Sequence, residues 1–136
     1  MLDKELINKK LESIALYLKE IEPILKLSFE DFSDKYQNMR TAERDFQLMV
    51  DAAVDINMHF ILEKGFNPPE NNFQSFIKIG ELKILPEDLT NALAPSAGLR
   101  NRLVHEYEKI DQRILFESLR KFVPLYYKYC KKIYKF

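Results

Sequence analysis

The stretch "GLRNRLVHEYEKID" spans Gly98 to Asp111 and places Arg100, Arg102, His105 and Tyr107 within eight residues. Arginine offers a planar fork of donors for phosphate oxygens. Histidine titrates near neutrality and can serve as acid or base. Together they could cleave RNA without a metal. That reaction needs a base for the 2′-hydroxyl proton, an acid for the departing 5′-oxygen, and a fixed cation for the charge that builds on phosphorus. His105 is the candidate acid or base and Arg100 the candidate cation.

Spacing sets a condition on this chemistry. Five residues on an ideal helix turn through roughly 500°, which leaves Arg100 and His105 about 140° apart. They converge only if the helix ends or distorts between them, or if two chains contribute. A two-fold dimer would bring two copies of each into one cleft and supply both acid and base. On spacing alone, arginines that cap helix carbonyls and a surface histidine account for the same residues.

The elements that position this stretch read as helices. Asp3 is an expected N-cap, and Leu6, Ile7, Leu11, Ile14, Leu18, Ile21 and Leu25 recur at helical spacing as an apolar stripe. Pro23 is expected to kink that helix or end it a turn early. "LSFEDFSDKY" reads as a turn with a short helical segment, capped by Ser28 with Asp31. A second long helix is expected from about Gln37 to Lys64, closed by Gly65 and followed by the loop "NPPENN". A third is expected near Phe73 to Leu82. A fourth starts at "PEDL", with Pro86 in its first turn and disturbance at Pro95 and Gly98. A fifth runs from about Asp111 to Tyr134, with Pro124 as a kink. The fold class is therefore all-α, an antiparallel bundle of about five helices over one domain, residues 1–136.

Composition narrows the function classes. The chain has 136 residues, 46% hydrophobic and 31% charged, with only three glycines, an ordinary balance for a globular domain. Its 21 basic and 21 acidic side chains cancel, so a nucleic-acid role needs a local patch, and no DNA partner is expected. Lysines do collect in "KYCKKIYKF". The aromatics of "FVPLYYKYCKKIYKF" could stack bases, or pack in core and interface with the lysines in solvent. Cys130 is the only cysteine; it reads as a small buried hydrophobe in a reducing, cytoplasmic setting. The N-terminus lacks the apolar run of a signal peptide and no stretch reaches membrane-span length, so no membrane partner is expected. Asp51, Asp55 and His59 fall on one helix face. They could hold a metal, orient the arginines as a polar stripe, or sit in solvent; of these the orienting role is favoured and no metal is assigned.

The residues "RNRLVHEY" resemble the RX4HXY motif of the HepT-like ribonuclease toxins, a family within the HEPN superfamily of small helical proteins. Arg100 stands as the motif arginine, His105 as its histidine and Tyr107 as its tyrosine. Asn101 matches the polar residue that often follows the arginine, and Arg102 falls among the variable spacers. The resemblance covers about Arg44 to Asp111, including "RDFQLMVDAAVDINMHFI". It implies a metal-independent endoribonuclease that acts as a homodimer without a cofactor, with Arg100 and His105 catalytic and Asn101 beside them; Arg102, as a further fork for phosphate oxygens, and Asp51 and Asp55, as the orienting stripe, are expected in support from their own chemistry and not from the resemblance. It further implies the toxin of a two-gene toxin–antitoxin module. The partner would be a minimal nucleotidyltransferase that transfers AMP from ATP to Tyr107, adding bulk and negative charge beside the site. A second possibility is a non-catalytic HEPN module that binds a nucleotide or holds the nucleotidyltransferase.

Overall fold

The computed structural model describes residues 1–136 and is helical throughout, with no strand. Six α-helices follow in order: α1 Lys4–Leu25, α2 Phe29–Asp34, α3 Tyr36–Glu63, α4 Asn72–Glu81, α5 Glu87–His105 and α6 Gln112–Lys135, with a 3₁₀ turn at Tyr107–Lys109. The expected caps at Asp3 and Ser28 form, and Asn71 and Asp111 add two more. The side chains of Asp3, Ser28, Asn71 and Asp111 each accept a backbone N–H of the helix they open, satisfying donors that have no partner inside the helix. Gly65 takes φ +87° just past α3, a conformation open to glycine at no steric cost.

Side-chain pairs give the relative directions. Asp3 donates its backbone N–H to His59 Nε2 at 2.9 Å, and Lys10 pairs with Asp55 at 2.8 Å, so α1 and α3 run antiparallel. Ring pairs Phe46–Phe122 and Phe60–Phe136, with the Tyr129 hydroxyl on the Ala53 carbonyl at 3.0 Å, run in the same sense on α3 and α6. These contacts recur every seventh residue on both helices, so α3 and α6 are parallel. With α5 antiparallel to α6, the long helices make an up-and-down bundle whose third member is α5.

None of the three helix prolines ends its helix on the spot. α5 continues through Pro95 and Gly98 instead of breaking, α1 continues past Pro23 to Leu25, and α6 passes through Pro124. In α5 the flanking Leu93, Ala94, Ser96 and Ala97 are buried, and Ser96 Oγ bonds both the Leu93 carbonyl at 2.6 Å and the Tyr126 hydroxyl at 2.7 Å. One lost backbone bond at proline is small against that burial. On α1 the expected stripe is buried except Leu6, which is 38% exposed. Gly80 marks the close crossing of α4 and α5: a Cβ there would lie 2.1 Å from Thr90 Oγ1.

The terminal aromatics divide cleanly. Tyr126 and Tyr129 are fully buried, whereas Tyr134 and Phe136 are exposed. Tyr129 Oη lies 2.7 Å from Asn57 Oδ1, and Asn57 Nδ2 donates to Ser75 Oγ at 3.2 Å, a buried polar chain joining α6, α3 and α4. Such groups are costly when unpaired and specify register when paired. Burial pushes the half-buried Cys130 thiol up to about 12, consistent with an inert packing role.

Asp45 is a buried exception. Its carboxyl faces Glu20 of α1, and burial first, then the Glu20 carboxylate, push it up to about 7 from the usual 3.8. A folded-state value above the unfolded one means its stabilising contribution is full below about pH 4 and is lost as pH rises through about 7. Asp45→Asn should therefore flatten the fall in stability between those limits and be more stable than the wild type at pH 8. Urea unfolding at pH 5 and pH 8 checks this; a variant less stable at pH 8 would contradict it.

Candidate active site

The helix ends where the motif begins to matter. His105 is the last residue of α5 and is exposed, while Leu103 anchors the final turn in the core at 4% exposure. The Glu106 backbone N–H closes the helix on the Arg102 carbonyl at 2.8 Å. Since α5 is unbroken from Arg100 to His105, the two side chains leave it about 140° apart, and one chain does not bring them together. The dimer condition raised by spacing therefore stands.

Arg100 points at α3. Its Nε lies 2.9 Å from Asp51 Oδ1, off the hydrogen-bonding direction, and its Nη2 donates to Asp51 Oδ2 at 3.3 Å. Nη1 has only a long contact, 3.4 Å, to Asn101 Oδ1. The carboxylate thus holds the guanidinium while leaving its Nη1 side lightly engaged. Arg102 is exposed and sits 3.9 Å from Glu106 on the following turn. Asn101 is exposed beside Arg100.

The polar stripe of α3 splits among three partners. Asp51 takes Arg100, Asp55 takes Lys10, and His59 accepts the Asp3 backbone N–H. Only Asp51 orients a motif residue; Asp55 and His59 tie α1 to α3, so Asp55 has no contact with the site. No group of three or more metal-binding side chains comes together.

Tyr107 is placed by the 3₁₀ turn, not by an extended segment, so it does not share a side with His105 in the way an extended strand would require. It is half-buried against α3. Arg40 lies 5.0 Å from its ring centroid and 4.8 Å from that of Tyr36. The phenol faces Glu43 and Gln112, and burial, then the Glu43 charge, raise its pKa. Burial likewise raises Glu43, which is 3% exposed. Glu43 Oε2 and Gln112 Oε1 are buried without a hydrogen-bond partner. Arg40, Glu43 and Gln112 were not expected from the sequence. Arg40 and Glu43 stand three apart on a helix, but nothing in the sequence says that the exit from α5 lays Tyr107 on them.

The chain is helical throughout, with a carboxylate-held arginine and an exposed histidine at a helix end, and comparison with known proteins gives its family. The family model "Ribonuclease HepT-like" matches residues 14–133, and the chain belongs to this family of ribonucleases. It is 35% identical over 128 residues to the tRNA nuclease HepT of Aphanizomenon flos-aquae, covering 94% of this chain and 87% of that one. It is 22% identical over 111 residues to the mRNA nuclease HepT of Shewanella oneidensis, covering 82% and 83%. The fold is similar to the tri-AMPylated Shewanella oneidensis HEPN toxin in complex with MNT antitoxin, with a TM-score of 0.87, 20% identity and full coverage of both chains. A toxin–antitoxin structure with AMP-PNP also superposes, with a TM-score of 0.87 at 18% identity over 97% of this chain and 99% of the other.

The Asp51 contact has a direct consequence. Asp51→Asn keeps the shape but removes the charge that holds Arg100, and hydrogen bonds to charged groups are worth enough to change rates by on the order of ten- to a hundred-fold. RNA cleavage should fall within that range while circular dichroism is unchanged. Asp55→Asn should leave cleavage unaltered, and equal losses in the two variants would contradict the division of the stripe.

Proposed function

We propose that this protein is the toxin of a toxin–antitoxin pair, a homodimeric endoribonuclease that needs no metal and acts in the cytoplasm. The observation that carries the reading is Arg100 fixed by Asp51 on the same unbroken helix that ends in an exposed His105. Two chains related by a two-fold axis then supply two histidines and two arginines to one cleft. One His105, neutral, takes the proton of the 2′-hydroxyl. The 2′-oxygen bonds to phosphorus and the bond to the 5′-oxygen breaks. The other His105, protonated, gives its proton to that oxygen. Arg100 stabilises the charge on phosphorus through its lightly engaged Nη1 side. Products are a 2′,3′-cyclic phosphate and a free 5′-hydroxyl. One relative is named a tRNA nuclease and another an mRNA nuclease, so RNA is the common substrate class.

Regulation follows the same reading. A minimal nucleotidyltransferase antitoxin transfers AMP from ATP to Tyr107; the likeness to a tri-AMPylated toxin bound to its antitoxin supports this. Arg40, already over the Tyr107 ring, is close enough to pair with the phosphodiester formed there. Because the ring is packed against α3, the phenol has to turn outward or the antitoxin has to approach along that face.

His105→Ala and Arg100→Ala should each lower cleavage by about two to four orders of magnitude, the usual weight of an acid–base group, and should relieve growth arrest. Activity should survive EDTA. A fully active His105→Ala protein would overturn the mechanism. With the antitoxin, ATP and Mg²⁺, each AMP should add about 329 Da to the wild type, the mass of one transferred adenylyl group. Tyr107→Phe should remain toxic and take up no AMP. Protection by the antitoxin without any adduct would mean inhibition by binding alone.

A further inference from the structure

α5 and α6 lie antiparallel and leave a furrow between them. At one end is a hollow of about 520 Å³ between the start of α5 and the end of α6. At the other is a hollow of about 530 Å³ that reaches Arg102 and Lys109, beside the motif. The two hollows lie in line along the same helix seam. Asp88, Ala92, Pro95, Leu99 and Arg102 recur every three or four residues along one face of α5. Ile114, Ser118, Phe122, Leu125, Lys128 and Lys132 do the same on α6. From Ile114 to Lys135 the furrow runs about 30 Å at helical rise.

Its charge is uneven. The end far from the motif carries Lys128, Lys131, Lys132 and Lys135 against a single carboxylate, Asp88. None of these lysines is in an ion pair. The cations nearest the cleavage motif are compensated, Arg100 by Asp51 and Arg102 by Glu106. A chain with zero formal charge thus gathers four unpaired lysines about 27 Å along α5 from His105, whereas the hollow at the motif end has only Lys109 outside an ion pair. Between the two ends the wall is apolar, with Leu99, Phe122 and Leu125, and the exposed Phe73 and Ile114 stand at the rim.

We propose that the α5–α6 furrow is a track for the RNA strand, with phosphates held at the α6 lysine stripe and bases lying against the apolar wall on the way to the Arg100–His105 motif. The inference rests on the ribonuclease reading and extends it: the substrate is an RNA long enough to reach from the motif to the far end of the bundle. Free lysines and apolar surface along one helix seam suit a polyanion with stacking bases.

The test uses full-length protein and two substrates, a complete transfer RNA and a pentanucleotide. Lys128→Glu with Lys132→Glu should raise KM for the transfer RNA about tenfold or more, with kcat little changed and a several-fold smaller effect on the pentanucleotide. Lys128→Gln with Lys132→Gln should show the same pattern more weakly. In a His105→Ala background, the salt slope of transfer-RNA binding should drop by about 1.4 for two lost phosphate contacts. Lys9→Glu with Lys19→Glu on α1, the same change of net charge elsewhere, should leave KM unaltered. Unchanged KM and salt slope in the α6 variants would overturn the track, as would equal loss on both substrates. So would a variant that binds RNA normally but no longer dimerises or no longer binds the antitoxin, which would make the furrow a protein interface. If the wild type cleaves neither RNA, the ribonuclease reading fails, and the binding measurement still decides the furrow separately.

Discussion

Because α5 runs unbroken to its last residue, the guanidinium of Arg100 and the imidazole of His105 depart in directions about 140° apart. Arg100 turns inward to α3 and is taken by Asp51. His105 is left at an exposed end. One member of the proposed pair is thus half-buried against the bundle and the other is presented outward. Whatever keeps α5 straight and in register against α3 decides where both groups lie, and the contacts that do so are Leu103 in the core and Ser96 on Tyr126. A break at Pro95 would have freed the motif from the bundle; the buried small residues around it prevent that.

α3 is the spine against which this register is read. On one side it meets α6 every seventh residue through Phe46, Ala53 and Phe60. Along its other contacts it holds Arg100 with Asp51 and receives Tyr107 at Arg40 and Glu43. The pairing runs down α3 as it runs up α5, as antiparallel helices require. A cleavage motif and a candidate modification site are therefore fixed by one helix. A change that shifts α3 moves both together.

Much of this was legible in the sequence, for physical reasons. Helix starts were readable because Asp3, Ser28 and Asp111 have side chains that accept orphan N–H groups. The apolar stripe of α1 was readable from its period, with Leu6 at the rim as the exception. Pro95 did not interrupt α5, because local rules price a lost backbone bond but not the burial of Leu93, Ala94 and Ala97 around it. Asp51 was readable as a candidate partner of the arginines from its place on a helix face. Asp55 looked equivalent, and only the packing of α1 shows that Lys10 takes it. The surroundings of Tyr107 were not readable, since they depend on a 3₁₀ turn after α5 and on a crossing with α3 sixty residues earlier in the chain.

The electrostatics of the motif explain why orientation and attraction fall to different residues. A guanidinium left free would offer more net charge to RNA but would spend conformational entropy on each encounter. Asp51 removes that freedom and also most of the net charge, so the arginine is pre-set but attracts little at a distance. In the proposed mechanism it acts when a phosphate arrives close to Nη1, where only the long Asn101 contact has to give way. An adenylyl group on Tyr107 would add its phosphodiester beside Arg40, on the neighbouring stretch of α3, and so act locally rather than repel RNA from afar. Long-range attraction must then come from charge that no carboxylate cancels, and the lysines of α6 are placed to supply it.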